Sequence, residues 1–256
     1  MTITDIKNAL AAAGIENCDG EARILAEEFS GEALEGAIAR RINHEPLQYI
    51  IGRWYFYREE YFVSPACLIP RSDTEILVEH LVKKLPLKAR FLDLCTGSGC
   101  IAISTAKNRP DTSGKACDIS EAALEIAKKN AAHNGVSSVE FFHADVKKLP
   151  ILSESFDCIV SNPPYIDTAV VDTLEKELSH EPRIALDGGD DGMDFYRAIV
   201  ENYRHLLKPE GFFAFEMGFD QKEKAKELAY THGFDFEEIY DYGGNFRVAI
   251  LKGKVL

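Results

Sequence analysis

Apolar residues recur at helical spacing in three short segments at the start of the chain, residues 3–14, 20–30 and 32–42. Gly14 is placed to end the first and Gly31 to separate the other two. Helices this short are marginal alone, so they must pack on one another or on the rest of the chain. The pattern changes at Asn43-His44-Glu45-Pro46. LQYIIGRWYFYREEYFVSP beyond it is rich in β-formers and aromatics, with a charged middle at Arg58-Glu59-Glu60, which predicts a hairpin. From residue 73 onward helical and strand patterns alternate. An amphipathic segment, residues 74–85, stops at Pro86, and strand signals at 89–94 (a short apolar run), 113–118, 139–145 and 156–160 alternate with helical segments at 99–109 and 120–135. Two further helix–strand pairs follow. The last strand, residues 246–253, comes directly after the Gly243-Gly244-Asn245 turn and should pair antiparallel with its predecessor.

Alternation of this kind predicts an α/β fold with a mostly parallel sheet covered on both faces. The organisation expected is a small helical domain over residues 1–43, a connector carrying the β-hairpin over 44–72, and a main domain over 73–256. A terminal antiparallel hairpin sets this sheet apart from simple nucleotide-binding folds. The 256 residues include 46% hydrophobic positions, which suits a cored globular protein, and a formal net charge of -13 argues against tracking along nucleic-acid phosphates. No stretch approaches a membrane span, and MTITDIKNAL lacks the apolar core of a signal peptide, so a cytoplasmic location is expected. The six cysteines form no CxxC pair and have no histidines at zinc spacing. They read as free thiols, and no metal is expected.

Asp93-Leu94-Cys95-Thr96-Gly97-Ser98-Gly99 follows the first strand of the main domain and opens a helix. In a doubly wound sheet this turn lies where ligands bind, with glycines that allow close approach and a helix N-terminus beyond. Gly97, Gly99 and Ala102 also satisfy a dinucleotide spacing, so a nicotinamide-cofactor reading competes. Asp118, ending the second strand, can accept both ribose hydroxyls; Asp145, after the third, can take an adenine amine, with Val146 beside the ring. Together they predict an adenosine-containing ligand.

Ser161-Asn162-Pro163-Pro164-Tyr165 follows the fourth strand at the same sheet edge. A dehydrogenase has no use for it there, whereas an enzyme that methylates a planar NH2 does. The nitrogen lone pair is delocalised and attacks a methyl sulfonium poorly. The Asn162 side-chain carbonyl and the Pro163 backbone carbonyl can each accept one N–H and fix the nitrogen in line, while Tyr165 can pack flat against the amide. The prolines stiffen the loop.

With these motifs, and with EPLQYIIG, LIPRSDTEILVE, HEPRIALDGGDDGMDFYR and EMGFDQ, the chain resembles the PrmC/HemK family from about residue 40 to its C-terminus. That family methylates the glutamine side-chain nitrogen in the Gly-Gly-Gln motif of peptide chain release factors. The resemblance implies a seven-stranded Rossmann-like class I S-adenosylmethionine-dependent methyltransferase domain behind a helical substrate-recognition domain. It implies S-adenosyl-L-methionine as cofactor and release factors as partners, with a monomer and no stable nucleic-acid complex expected. Carried over by residue, Cys95, Thr96, Gly97, Ser98 and Gly99 wrap the methionine part of the cofactor, Asp118 holds the ribose, and Val146 lies by the adenine. Asn162 touches both cofactor and glutamine, and Pro163, Pro164 and Tyr165 complete the amide pocket. Cys95 stands where the family usually has glycine, so a left-handed backbone there would be strained; Val146 stands where some members carry an aromatic. The N-terminal helices are one or two short of the family's usual set, implying a smaller docking footprint.

An adenine amine fits the same Asn-Pro-Pro-Tyr acceptors after base flipping, so a nucleic-acid adenine methyltransferase is the alternative. Arg71, Asp73 and Glu75 could close the cofactor pocket or simply start a helix, and the 180–192 loop could cover the substrate amide. Trp54 to Tyr57 are expected to pack the hairpin rather than stack a base.

Overall fold

The computed structural model describes residues 1–253. Helix α1 (Ile3–Ala12) opens with a reciprocal cap: Thr2 Oγ1 accepts the Asp5 N–H at 3.2 Å and Asp5 Oδ2 accepts the Thr2 N–H at 2.8 Å. Helices α2 (Cys18–Glu28) and α3 (Gly31–Ile42) follow at the predicted places. Ile6, Leu10, Leu25 and Ile38 fill the core they share.

The next segment corrects the expected strand. Leu47–Ile51 forms a short helix, α4, started at Pro46 and ended at Gly52, whose φ is 80°. Its isoleucines favour strands, but Leu47 and Ile50 are buried in the α1–α3 core, and that packing outweighs local propensity. The hairpin proper is β1 (Arg53–Phe56) and β2 (Glu59–Phe62), paired antiparallel from Arg53↔Phe62 to Phe56↔Glu59. Phe56 meets Tyr61 edge-on at 5.9 Å and Trp54 packs with Tyr49, Val63 and Ile69, as hairpin packing requires; Tyr55 is exposed.

Beyond α5 (Thr74–Lys84), the chain forms β3 (Arg90–Leu94), α6 (Cys100–Asn108), β4 (Ser113–Asp118), α7 (Glu121–His133), β5 (Val139–His143) and β6 (Phe156–Ser161). After the short α8 (Thr168–Val171) come α9 (Asp194–Tyr203), β7 (Leu207–Glu216), α10 (Lys222–Thr231), β8 (Phe234–Tyr240) and β9 (Phe246–Gly253). The seven-stranded sheet has the order β5-β4-β3-β6-β7-β9-β8. The first five of these strands run parallel, and β9 pairs antiparallel with both β7 and β8, as the turn before it predicted.

Side chains alternate between two cores. Phe91, Cys158, Val160 and Ala214 face one side with residues from α5, α6 and α7. Leu92, Leu94, Ile159, Phe213 and Phe215 face the other with residues from α9 and α10. Burial on both faces is why these strands read as nearly unbroken apolar runs. The order reverses between β3 and β4 on one side and β6 on the other, so the carboxyl ends of these strands frame a crevice.

Candidate active site

That crevice holds a cavity of about 330 Å³. Its floor is the loop after β3, where Cys95 takes φ 59°, Gly97 54° and Gly99 81°. The left-handed backbone turns the chain sharply into α6. Glycine at 97 and 99 adopts it without cost, whereas Cys95 carries a Cβ through it. At Gly99 there is a second requirement, because a Cβ would come within 2.8 Å of the Ile103 side chain and 3.1 Å of Ala127. Gly99 thus packs the loop down and does not itself line the cavity.

Asp118 sits across this floor at the end of β4. Its Oδ2 accepts the Gly97 N–H at 2.8 Å and its Oδ1 the Ser120 N–H at 2.9 Å. Burial raises its pKa while those backbone donors oppose the rise. A carboxylate has about four lone-pair directions, so two remain for ligand hydroxyls. Beneath the loop Asp93 is fully buried, and burial pushes its carboxyl up to about 7. The Thr96 hydroxyl donates to its Oδ2 at 2.5 Å, and its Oδ1 has no partner.

One side wall comes from Ile119, Asp145, Val146 and Phe195. These are apolar faces with a carboxylate at the rim, a suitable slot for a flat heteroaromatic ring carrying an amine. Lys147 Nζ lies 4.2 Å from the centre of the Phe195 ring. The segment from Ala66 to Arg71, together with Thr74, lines the cavity as well. Pro182, Ile184 and Ala185 border the same space, placing the 180–192 loop against it. Asn162 and Pro164 reach the cavity from the end of β6.

Of the residues singled out from sequence, the structure brings Cys95, Thr96, Gly97, Ser98, Asp118, Asp145, Val146, Asn162 and Pro164 around one space. Pro163 is buried behind it, and Tyr165 lies outside it, half-buried against the core on the α9 side. The Tyr165 backbone is clamped instead: Gln221 Nε2 donates to its carbonyl at 3.0 Å. The glycines of the acidic loop explain that clamp. A Cβ on Gly188 would come within 2.6 Å of Tyr165 Cα, and one on Gly192 within 2.3 Å of its carbonyl oxygen. Asp187 and Asp191 are occupied within the fold, by Thr168 and Arg197 respectively, and no metal-binding cluster exists among the described residues.

Arg71, Asp73 and Glu75 divide between the two readings offered for them. Arg71 borders the cavity and pairs with buried Glu181, whose carboxylate also accepts the Ile69 N–H at 3.1 Å. Asp73 stands at the start of α5 without capping it and pairs with Arg247 at 3.0 Å; Glu75 accepts the Tyr57 N–H at 2.8 Å. Phe195 lies within the segment HEPRIALDGGDDGMDFYR, which assigned it no role, and two further contributors, Asn130 and Arg41, had no motif to announce them. Phe195 reaches the cavity from α9. Buried Asn130 of α7 accepts the Phe62 N–H at 2.7 Å and donates to the Phe62 and Ser98 carbonyls at 3.0 and 2.9 Å, tying hairpin to loop. Arg41, also buried, pairs with Glu21 at 2.5 Å and with Glu177, fastening the 166–192 segment to the N-terminal helices.

Residues 71–212 match the family model of the methyltransferase small domain. The fold is shared with a methyltransferase from Pyrococcus furiosus, at a TM-score of 0.58 and 20% identity over 77% of this chain and 89% of that one. It is shared equally with a ribosomal protein L11 methylase from Lactobacillus delbrueckii, at 0.57 and 18% over 75% and 84%. Sheet order, glycine loop and matched domain define a class I S-adenosylmethionine-dependent methyltransferase. Release factor glutamine methyltransferase from Thermodesulfovibrio yellowstonii is 41% identical over 86% of this chain and 80% of its own length. The enzyme of that name from Geobacter sulfurreducens is 42% identical over 79% and 71%. The chain belongs to the release factor glutamine methyltransferase family. No helix among the described residues is long and apolar enough to cross a membrane.

Proposed function

We propose that this enzyme methylates the glutamine side-chain nitrogen of the Gly-Gly-Gln motif in peptide chain release factors. The observation that carries the reading is the placement of Asn162 and Pro164 on the same cavity as the glycine loop and Asp118. An acceptor for amide N–H groups therefore adjoins a site fit for adenosine.

The cavity residues suit the cofactor by their chemistry. Half-buried Asp118 offers free lone pairs to two hydroxyls, the Ile119–Val146–Phe195 wall takes a ring, and Asp145 takes its amine. The loop from Cys95 to Gly99 holds the amino-acid end. S-adenosylmethionine supplies, when bound, a methyl group on a positively charged sulfur. Asn162 Oδ1 and the Pro163 carbonyl accept the two amide N–H bonds of the glutamine and aim its nitrogen at that methyl. Their partial negative charge also favours the positive charge that grows on nitrogen as its bond to the methyl carbon forms and the carbon–sulfur bond breaks; the surplus N–H proton then passes to water, leaving the neutral methylamide. Both prolines have fixed φ, and the Tyr165 backbone is clamped by Gln221, so the acceptors are held before substrate arrives. Residues 1–43 form the release-factor recognition segment, fastened to the loop over the cavity through Arg41 and Glu177.

Methyl transfer from labelled S-adenosylmethionine tests the reading. Purified release factor, the same factor with the Gly-Gly-Gln glutamine changed to alanine, and duplex DNA are offered in separate reactions. Label on the intact factor alone is expected; label on DNA would assign the Asn162 pocket to adenine.

A further inference from the structure

The end of β7 places a carboxylate directly behind the methyl-acceptor pocket. Glu216 is buried at 1% exposure, and its Oε2 has no hydrogen-bond partner. Buried carboxylates are costly unless something uses their negative charge. Thr74, at the start of α5, and Asn162 are its polar neighbours, and each favours the ionised form of the carboxyl against the burial that raises it. Asn162 in turn directs its Nδ2 to Thr74 Oγ1 at 3.3 Å.

The direction of these bonds decides the chemistry. A side-chain amide has one donating and one accepting end of nearly equal size, so packing alone does not choose between its two orientations. If the Thr74 hydroxyl accepts from Asn162, its own proton is left to donate to Glu216. An ionised carboxylate only accepts, so the chain can run one way: Asn162 to Thr74 to Glu216. Asn162 Oδ1 is thereby left for the substrate. A flipped amide would present NH2 to the substrate NH2, setting donor against donor.

We infer that Thr74 and Glu216 are positioning residues for methyl transfer, fixing which end of the Asn162 amide meets the substrate nitrogen. This rests on the glutamine reading above. Other groups facing the carboxyl are Asp73 from α5, Arg247 from β9, Tyr165 from the loop after β6, Tyr196 from α9 and Cys100 from α6. Arg247 favours the ionised form and Asp73 opposes it, while burial, the larger influence, lifts the carboxyl to about 7. Protonated Glu216 could donate to Thr74 and reverse the chain, so turnover should fall on the acid side.

The test compares Thr74→Val, Thr74→Ser and Glu216→Gln with the wild type, all on the full chain with release factor. Thr74→Val and Glu216→Gln are expected to lower kcat on the order of 10- to 100-fold, with KM for release factor and calorimetric cofactor affinity within about twofold. Thr74→Ser keeps the hydroxyl and should stay within about threefold of wild type. Glu216→Gln should also lose the acid limb of the kcat profile. In the folded wild type, the Asn162 side-chain NH2 resonances, identified by their loss in Asn162→Ala, should show Overhauser contact with the Thr74 methyl group. Wild-type kcat in a folded Thr74→Val, or absence of that contact, overturns the inference. A wild-type enzyme that leaves release factor unlabelled defeats the underlying reading instead, so the two failures are told apart.

Discussion

The Gly97 backbone N–H donates to Asp118 Oδ2 at 2.8 Å, joining the loop after β3 to the end of β4. The bond sets the height of the loop over the sheet and orients the carboxylate at once. A second bond, from the Ser120 N–H to Oδ1 at 2.9 Å, leaves the group no freedom to rotate. Ligand recognition at Asp118 is therefore prepared before any ligand binds, which removes part of the ordering cost of association.

Asp118→Asn should weaken cofactor binding by about tenfold or more without changing the affinity for release factor. An asparagine has one carbonyl oxygen, so its NH2 would face either Gly97 N–H or Ser120 N–H, donor against donor. Calorimetric titration of S-adenosylmethionine measures this directly. Wild-type affinity in the variant would remove Asp118 from the ribose site.

Cys95 sits at φ 59° with a Cβ that the left-handed region disfavours. Cys95→Gly and Cys95→Ala both lose the sulfur, and only the first relieves the backbone. The glycine variant should therefore be the more stable of the two by about 1 kcal/mol in urea unfolding. Equal stabilities would mean that the conformation at 95 carries no strain.

Much of this architecture is written in local pattern. Strands β3 and β6 are largely apolar because both sheet faces are covered, and the Asp93–Gly99 and Asn162–Tyr165 motifs each occupy a few adjacent residues. The misread segment is the one whose local preference lost to packing: Leu47–Ile51 looks like a strand and becomes a helix because Leu47 and Ile50 complete the N-terminal core. The supporting polar contacts were invisible for a different reason. Asn162 and Thr74 are 88 positions apart, and Asn130 and Phe62 are 68 apart. Such pairs have no spacing for a pattern to detect. Tyr165 does not line the cavity, and its backbone is packed against the acidic loop, a contact between segments that a five-residue motif does not announce.

Asn130→Ala should destabilise the protein by about 2–3 kcal/mol, because it strands the Phe62 N–H and two carbonyls beneath the hairpin. Ser98 belongs to the cofactor loop, so cofactor affinity should fall in the same variant. Hydrogen exchange locates the damage: amides of β1 and β2 should lose protection before those of β6 and β7. Uniform loss across the sheet would contradict a local tie.

Asp93 makes a prediction with a sign. Burial lifts its carboxyl from 3.8 to about 7, so the folded protein holds this proton more tightly than the unfolded chain does. Its contribution to stability is therefore greatest below about pH 4 and declines as pH rises to about 7, where the fold must carry the ionised group. Asp93→Asn cannot ionise, yet its side-chain carbonyl can still accept from the Thr96 hydroxyl. Relative to wild type, the variant should gain at least about 1 kcal/mol between pH of about 5 and about 8. Comparing each protein with the other at both pH values cancels the titration of shared surface groups. A difference between variant and wild type that stays constant over that range would mean Asp93 ionises normally within the fold.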